Sequence, residues 1–135
     1  AVWSSADVAG VPLKDFCEMR GHFDHEEAER RIAEDVKNAA YEIIDRKHAT
    51  YYGIAMSVKR LCTAIMRDEK CILPISALMV GEYGISDVAI SMPTIVGRDG
   101  VECRVPISLD EEELAELHRS AKALRDVIDG IEVEL

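Results

Sequence analysis

The spacing of the apolar residues changes near residue 70, and this change constrains the fold more than any other feature of the sequence. Before it, apolar residues recur at every third or fourth position over 24–46 and again over 51–67, which predicts two amphipathic helices. After it, they occupy every second position from Cys71 to Met79, which is the period of a strand. Helices are therefore predicted in the first half and a sheet in the second.

Two more strands are predicted after the first, separated by turns that contain glycine. Gly81 and Gly84 mark the first turn, and a strand follows over 88–92, where Pro93 implies a bulge or an edge position. The dipeptide at 99–100, Asp-Gly, is a hairpin signal. It precedes a third strand whose apolar residues share one side: Val101, Cys103, Val105 and Ile107.

Capping signals mark where the helices begin. Asp24 stands before the first long helix and Thr50 before the second, so each is placed to cap its helix. Ser108 and Glu111 match a capping box for a closing helix. The order helix, helix, three strands, helix predicts an α+β fold, in which long helices pack on a three-stranded antiparallel sheet within a single domain over 1–135.

Charge and cysteine content narrow the class of protein. The formal net charge is −10, which argues against a nucleic-acid binder, because such a protein needs a surplus of Lys and Arg. No apolar run reaches the roughly 20 residues that a membrane span requires. The four cysteines show neither a C-x-x-C pair nor metal-ligand spacing, so reduced thiols in a cytoplasmic protein are expected.

No catalytic site can be assembled from residue spacing alone. The glycines never fall as G-x-G-x-x-G, so the chain is not expected to carry a dinucleotide-binding fold of its own. His22 and His25 lie three residues apart but lack a third metal ligand, and we expect no metal there. Thr50 has two interpretations. A plain helix cap is the simpler one, but a hydroxyl beside free N–H groups at a helix start also suits a small carboxylate.

Several segments resemble the bacterial L-lactate dehydrogenase family, in the order in which that family has them. They are residues 38–44 (Asn-Ala-Ala-Tyr-Glu-Ile-Ile), 49–55 (Ala-Thr-Tyr-Tyr-Gly-Ile-Ala), 72–77 (Ile-Leu-Pro-Ile-Ser-Ala) and 81–88 (Gly-Glu-Tyr-Gly-Ile-Ser-Asp-Val). The likeness covers essentially the whole chain. It implies the carboxy-terminal, substrate-binding half of an oxidoreductase that moves a hydride between NADH and pyruvate to give L-lactate.

The resemblance also assigns residues. Thr50 matches the threonine that faces the substrate, Ala39 and Ala40 match small residues that line the substrate side, and Ile54 matches the apolar residue against the nicotinamide ring of NAD. The family's catalytic histidine motif would fall a few residues before Ala1, and the NAD-binding domain would also precede it. No catalytic residue is therefore assigned here, and the chain alone is expected to be inactive.

Further properties of the family follow as expectations, and two alternatives remain open. The family forms cytoplasmic homotetramers, so a homo-oligomer is expected, as is partial exposure of the apolar stripe at 28–43 in the absence of the partner half. One alternative is a stand-alone, non-catalytic oligomerisation module. The other is a malate or other 2-hydroxy-acid dehydrogenase, because the loop residue that separates pyruvate from oxaloacetate lies outside this sequence.

Overall fold

The structure is a computed structural model that describes residues 2–131. Its internal contacts divide into two compact units, Ala1–Lys59 and Arg60–Leu135, which are described separately. Within the described residues, no helix is both long enough and apolar enough to span a membrane. The α+β class predicted from the sequence is confirmed, whereas the assignment of 1–135 to a single domain stays a prediction.

The first unit begins with a short hairpin that the sequence pattern did not reveal. Strand β1 (Asp7–Val8) pairs antiparallel with β2 (Val11–Pro12). The turn residues Ala9 and Gly10 have positive φ angles of 55° and 82°, a combination for which Asn-Gly is the usual signal. The Asp7 carboxylate stabilises this turn by accepting the Gly10 N–H at 2.7 Å.

Three helices follow the hairpin: α1 (Leu13–Met19), α2 (His25–Lys47) and α3 (Tyr52–Arg67), which continues into the second unit. The predicted side-chain caps of the two long helices are wrong. Asp24 occupies the N-cap position of α2, but its φ of −98° and ψ of 26° are not extended, and its carboxylate makes no capping hydrogen bond. Thr50 lies one residue too early to cap α3, because Tyr51 precedes the first helical residue.

The second unit contains the predicted three-stranded antiparallel sheet. Strands β3 (Cys71–Val80), β4 (Ser86–Gly97) and β5 (Gly100–Arg104) lie in the order β3-β4-β5. Alternate residues of β3 turn inward as predicted and end at Met79, which is 1% exposed. Helix α4 (Glu111–Asp129) packs against β4 and completes the core. The core residues are Met79, Ile85, Val88, Met92 and Ala121.

Strand β5 differs from the prediction in the side chains that face the core. Val101 is 49% exposed and Cys103 is also exposed. Arg104 lies opposite Thr94, a fully buried residue, and so shares the core face. A register shift between Ile95 and Val96 leaves Glu102 as an extra residue in β5, so that Val101 lies opposite the buried Val96 on the same face as Arg104. Since a shift of one residue exchanges the two faces of a strand, the alternation alone could not tell which face is inside.

Pro93 lies within β4, and the bulge predicted there is wrong. It pairs in register with Pro74 of β3, and the register shifts of β4 lie elsewhere. Its carbonyl oxygen accepts the Val105 N–H at 2.8 Å, just beyond the end of β5. Because the N–H and C=O of a strand residue point the same way, the absent N–H faces the side where β5 has ended. Although β4 is the middle strand, Pro93 thus lies where the neighbouring strand β5 has already ended, which is closer to the predicted edge position than to a bulge.

The closing helix begins two residues later than predicted, so the capping box at Ser108 is wrong. Asp110 is the N-cap of α4: its carboxylate accepts the Glu113 N–H at 2.8 Å, and the Glu113 carboxylate accepts the Asp110 N–H at 3.2 Å. Both pairs fit the same sequence rule. The backbone of Ile107 is held by the Tyr83 hydroxyl, which accepts its N–H at 2.9 Å and donates to its carbonyl oxygen at 2.6 Å. This tie favours the later start.

Candidate functional site

The residues assigned by resemblance lie on one continuous segment of the first unit, which consists of α2, the connection 48–51 and the first turn of α3. Ala39 and Ala40 are exposed residues near the carboxyl end of α2. Thr50 is half-buried in the connection, and Ile54 is the third residue of α3, with 59% of its surface exposed. Sequence proximity brings Thr50 and Ile54 together. Over residues 2–131, the structure records no hydrogen bond that ties the two alanines to them.

The connection between α2 and α3 is a sharp break, as the sequence predicts. His48 ends α2 with a left-handed φ of 61°, and its N–H donates to the Ile44 carbonyl oxygen at 2.7 Å. Glycine or asparagine usually occupies such a position, because other residues are strained there. The following helical bond pattern starts when the Tyr51 carbonyl oxygen accepts the Ala55 N–H at 2.9 Å. Thr50 is thus fixed between a strained helix end and a new helix start.

Thr50 therefore stands at the positive end of a 16-residue helix. The first N–H groups of a helix lack an acceptor within it and carry the positive end of its dipole. Among the described residues, the Thr50 hydroxyl has no recorded hydrogen-bond partner. A hydroxyl and several free N–H donors at one helix terminus are chemically suited to a small carboxylate.

Tyr51 and Tyr52 are neighbouring aromatic residues whose contact is not indicated by the apolar pattern of the sequence. The rings of Tyr51 and Tyr52 are in contact, with centroids 4.8 Å apart and planes tilted by 55°. Consecutive side chains within a helix do not face each other, so the helical pattern gave no sign of this contact. The useful signal would have been the helix boundary, because Tyr51 lies outside α3 and its ring is free to turn toward Tyr52.

A shallow, open depression of about 700 Å³ lies between Trp3 and the middle of α2. Its lining includes Ile32 and Val36, which are 45% and 71% exposed. The predicted exposure of the apolar stripe at 28–43 is therefore confirmed. The depression reaches Asn38, which directly precedes Ala39, so open apolar surface borders the segment that carries the assigned residues.

The histidine and cysteine side chains add no second site to this segment. Within 2–131, no three His, Cys, Asp or Glu side chains are grouped as metal ligands. His25 lies at the first position of α2, and its Nδ1 atom is buried without a partner. Cys17, Cys62, Cys71 and Cys103 are free thiols.

The chain thus combines two long helices, an antiparallel meander and a closing helix with a helix start that suits a small carboxylate. Residues 1–134 match the family model described as lactate/malate dehydrogenase, alpha/beta C-terminal domain. The chain belongs to this family of dehydrogenase carboxy-terminal domains.

Its relatives include L-lactate dehydrogenases in particular. The chain is 41% identical to the L-lactate dehydrogenase of Acetivibrio thermocellus over 98% of its own length and 42% of the relative's. The minor L-lactate dehydrogenase of Enterococcus mundtii in its ligand-bound form superposes with a TM-score of 0.89 at 42% identity, covering 99% of this chain and 42% of that one. The chain thus spans about two fifths of the length of these relatives.

A malate dehydrogenase is also similar to this chain. The enzyme from Archaeoglobus fulgidus, solved in complex with NADH, superposes with a TM-score of 0.66 at 40% identity. That match covers 70% of this chain and 32% of the other. It is less extensive than the match to the Enterococcus mundtii lactate dehydrogenase.

Proposed function

We propose that this chain is the substrate-binding part of an NAD-dependent L-lactate dehydrogenase that interconverts pyruvate and L-lactate. The observation that carries the proposal is the position of Thr50. It offers a hydroxyl at the amino end of α3, beside free N–H donors, in a chain 41% identical to an L-lactate dehydrogenase. Pyruvate and lactate are small carboxylates, the class of ligand that this helix terminus favours.

Each assigned residue has a proposed role in the binding of substrate or cofactor. Thr50 donates its hydroxyl to the substrate, and the short side chains of Ala39 and Ala40 leave room for it. NAD, when bound, supplies the hydride acceptor. The exposed apolar side chain of Ile54 fits the uncharged dihydronicotinamide ring, since an apolar wall disfavours the ring cation.

The remaining parts of the reaction are proposed to reside outside this chain. Because the chain spans 42% of the Acetivibrio thermocellus enzyme, we place the proton-transfer histidine and most of the NAD site in the other three fifths. The chain alone is then inactive. The exposed apolar stripe of α2 supports assembly into a homo-oligomer, a homotetramer by analogy, in the cytoplasm of a fermenting bacterium.

Two rival functions are retained. The similarity to the malate dehydrogenase of Archaeoglobus fulgidus favours oxaloacetate or another 2-oxo acid as the substrate. The exposed apolar surface would also suit a non-catalytic oligomerisation module. A sedimentation experiment that shows a monomer would exclude the oligomerisation module. Measurable turnover of a 2-oxo acid would show that the protein is an enzyme instead.

The test is NADH oxidation by the full-length protein that contains this chain, with pyruvate and with oxaloacetate as alternative substrates. We expect a larger kcat/KM for pyruvate. Preference for oxaloacetate would assign the protein to the malate enzymes, and no turnover with either substrate would leave the oligomerisation module.

The role of Thr50 is tested in the same assay by Thr50→Val, which keeps the side-chain shape and removes the hydroxyl. Loss of a hydrogen bond to a charged carboxylate costs about 10- to 100-fold in kcat/KM. Thr63→Val, the same substitution farther along α3, serves as the matched control and should leave KM for pyruvate unchanged. Equal kinetic constants for the Thr50 variant and the wild type would remove Thr50 from the site.

A further inference from the structure

The contact between Tyr51 and Tyr52 is unusual because the two residues are consecutive in the chain. Their ring centroids are only 4.8 Å apart, with the planes tilted by 55°, a separation at which aromatic rings interact favourably. Both side chains are nevertheless exposed, Tyr51 to 55% and Tyr52 to 72%. Neither belongs to the core of its unit, so the contact has to be explained locally.

The contact depends on where α3 begins. Tyr52 is the first helical residue, whereas Tyr51 lies before the helix and offers its carbonyl oxygen to the Ala55 N–H at 2.9 Å. If α3 began one residue earlier, the two side chains would diverge by about 100° around the helix axis and the rings would separate. The ring contact and this helix start therefore stabilise one another.

The helix start in turn determines the position of the two residues assigned to substrate and cofactor. Thr50 directly precedes the ring pair, and Ile54 lies three residues after Tyr51. On the other side, α2 ends at His48 in a strained left-handed conformation, which leaves only 48–51 to absorb any shift. A change in the start of α3 would thus move both assigned residues together.

We propose that the Tyr51–Tyr52 ring pair is a positioning device that fixes the start of α3 and so holds Thr50 where it meets the substrate carboxylate. This inference rests on the proposed function of Thr50. Without the ring contact, the connection samples other conformations, and only a fraction of molecules is ready to bind. The apparent affinity for the substrate falls by that fraction, while the bound state, once formed, reacts as before.

The test is a double-mutant cycle in the full-length protein with Tyr51→Ala, Tyr52→Ala and the double variant. Each single variant should raise KM for pyruvate by about 3- to 10-fold, the range that one aromatic pair contributes to an equilibrium constant. The constant kcat should stay within about twofold of the wild type. Because both substitutions remove the same contact, the double variant should be no worse than either single one.

Two control variants separate the ring contact from a direct role of the hydroxyl and from a general effect of lost aromatic surface. Tyr51→Phe keeps the ring and should restore the wild-type KM, whereas a raised KM in this variant would mean that the hydroxyl acts directly. Phe23→Ala removes another exposed ring, 76% accessible, and should change nothing. Additive effects of the two tyrosine substitutions, or a fall in kcat without a change in KM, would overturn the proposal.

Amide hydrogen exchange provides a readout that does not need catalysis. The N–H of Ala55 is bonded to the Tyr51 carbonyl oxygen, so either alanine variant should accelerate exchange in the first turn of α3. Unchanged exchange would refute the positioning role even if the protein is a lactate dehydrogenase. Accelerated exchange in a protein without dehydrogenase activity would instead retain the ring pair and refute the proposed function.

Discussion

Replacement of Met79 by alanine is the sharpest test of how the second unit is stabilised. Met79 is the penultimate residue of β3, is 1% exposed and belongs to the core that β4 and α4 enclose. The substitution removes three buried heavy atoms, a loss of about 2.5 kcal/mol of transfer free energy. A residual cavity of some 40 Å³ adds about 1 kcal/mol. We therefore expect the free energy of unfolding to fall by about 3 to 4 kcal/mol.

The assay is urea unfolding followed by far-UV circular dichroism, with the slope of the transition unchanged if the native state stays compact. Met66→Ala is the matched control, because Met66 is 82% exposed on α3 and alanine is a good helix former. It should change the stability by less than about 0.5 kcal/mol. Met79→Leu keeps most of the volume and should cost less than about 1.5 kcal/mol. Equal losses at Met79 and Met66 would refute the placement of the core.

Three further predictions concern a helix cap, a turn and a carboxylate. Asp110→Ala should lower the free energy of unfolding by about 1 kcal/mol, while Ser108→Ala should leave it unchanged; the reverse order would favour the capping box at Ser108. Gly100→Ala, at a φ of 90°, should cost about 1 to 3 kcal/mol by thermal unfolding, and a neutral effect would mean that the β4–β5 turn has another conformation. The Val80 N–H donates to a carboxylate oxygen of Glu82 at 2.8 Å, and this hydrogen bond is the main reason that the Glu82 pKa lies below its ordinary value of 4.5. The ionised Glu82 carboxylate therefore stabilises the fold at neutral pH, and this stability is lost as the pH falls below 4.5 toward the lowered pKa. The Tm of Glu82→Gln should accordingly depend less on pH in this acidic range than the Tm of the wild type.

The sequence predicted the elements better than their boundaries. The alternation from Cys71 to Met79 and the Asp-Gly signal at 99–100 identified the strands, because apolar period and turn chemistry are local properties. The exact start of a helix is harder to predict, because several neighbouring residues can fit the same capping position. Ser108 and Asp110 both fit a capping box, and the Tyr83 hydroxyl, 24 residues away from its partner Ile107, favours the later start.

In the candidate site, too, local segments could be predicted from the sequence, whereas a contact that depends on the helix boundary could not. Thr50 and Ile54 were found through the resemblance of a contiguous segment, and the structure places them at the start of α3. The Tyr51–Tyr52 contact could not be found in this way, because it requires Tyr51 to lie outside the helix. The substrate roles of Thr50, Ala39, Ala40 and Ile54 stay predictions until the kinetic tests are made.

The sequence by itself determined the order of the elements, the α+β class and the family, because periodicity, turn residues and shared segments are all written along the chain. Only the tertiary structure decided which side of β5 is inside. Its alternation is symmetric between the two faces, and an extra residue in β5, Glu102, interrupts it, so that Val101 pairs with the buried Val96 and Arg104 with the buried Thr94 on the same face. Arg104 is accommodated there because its guanidinium pairs with Glu82 at 2.5 Å and donates to the Leu78 carbonyl oxygen. Both partners are distant in the sequence, and no local pattern encodes such a contact.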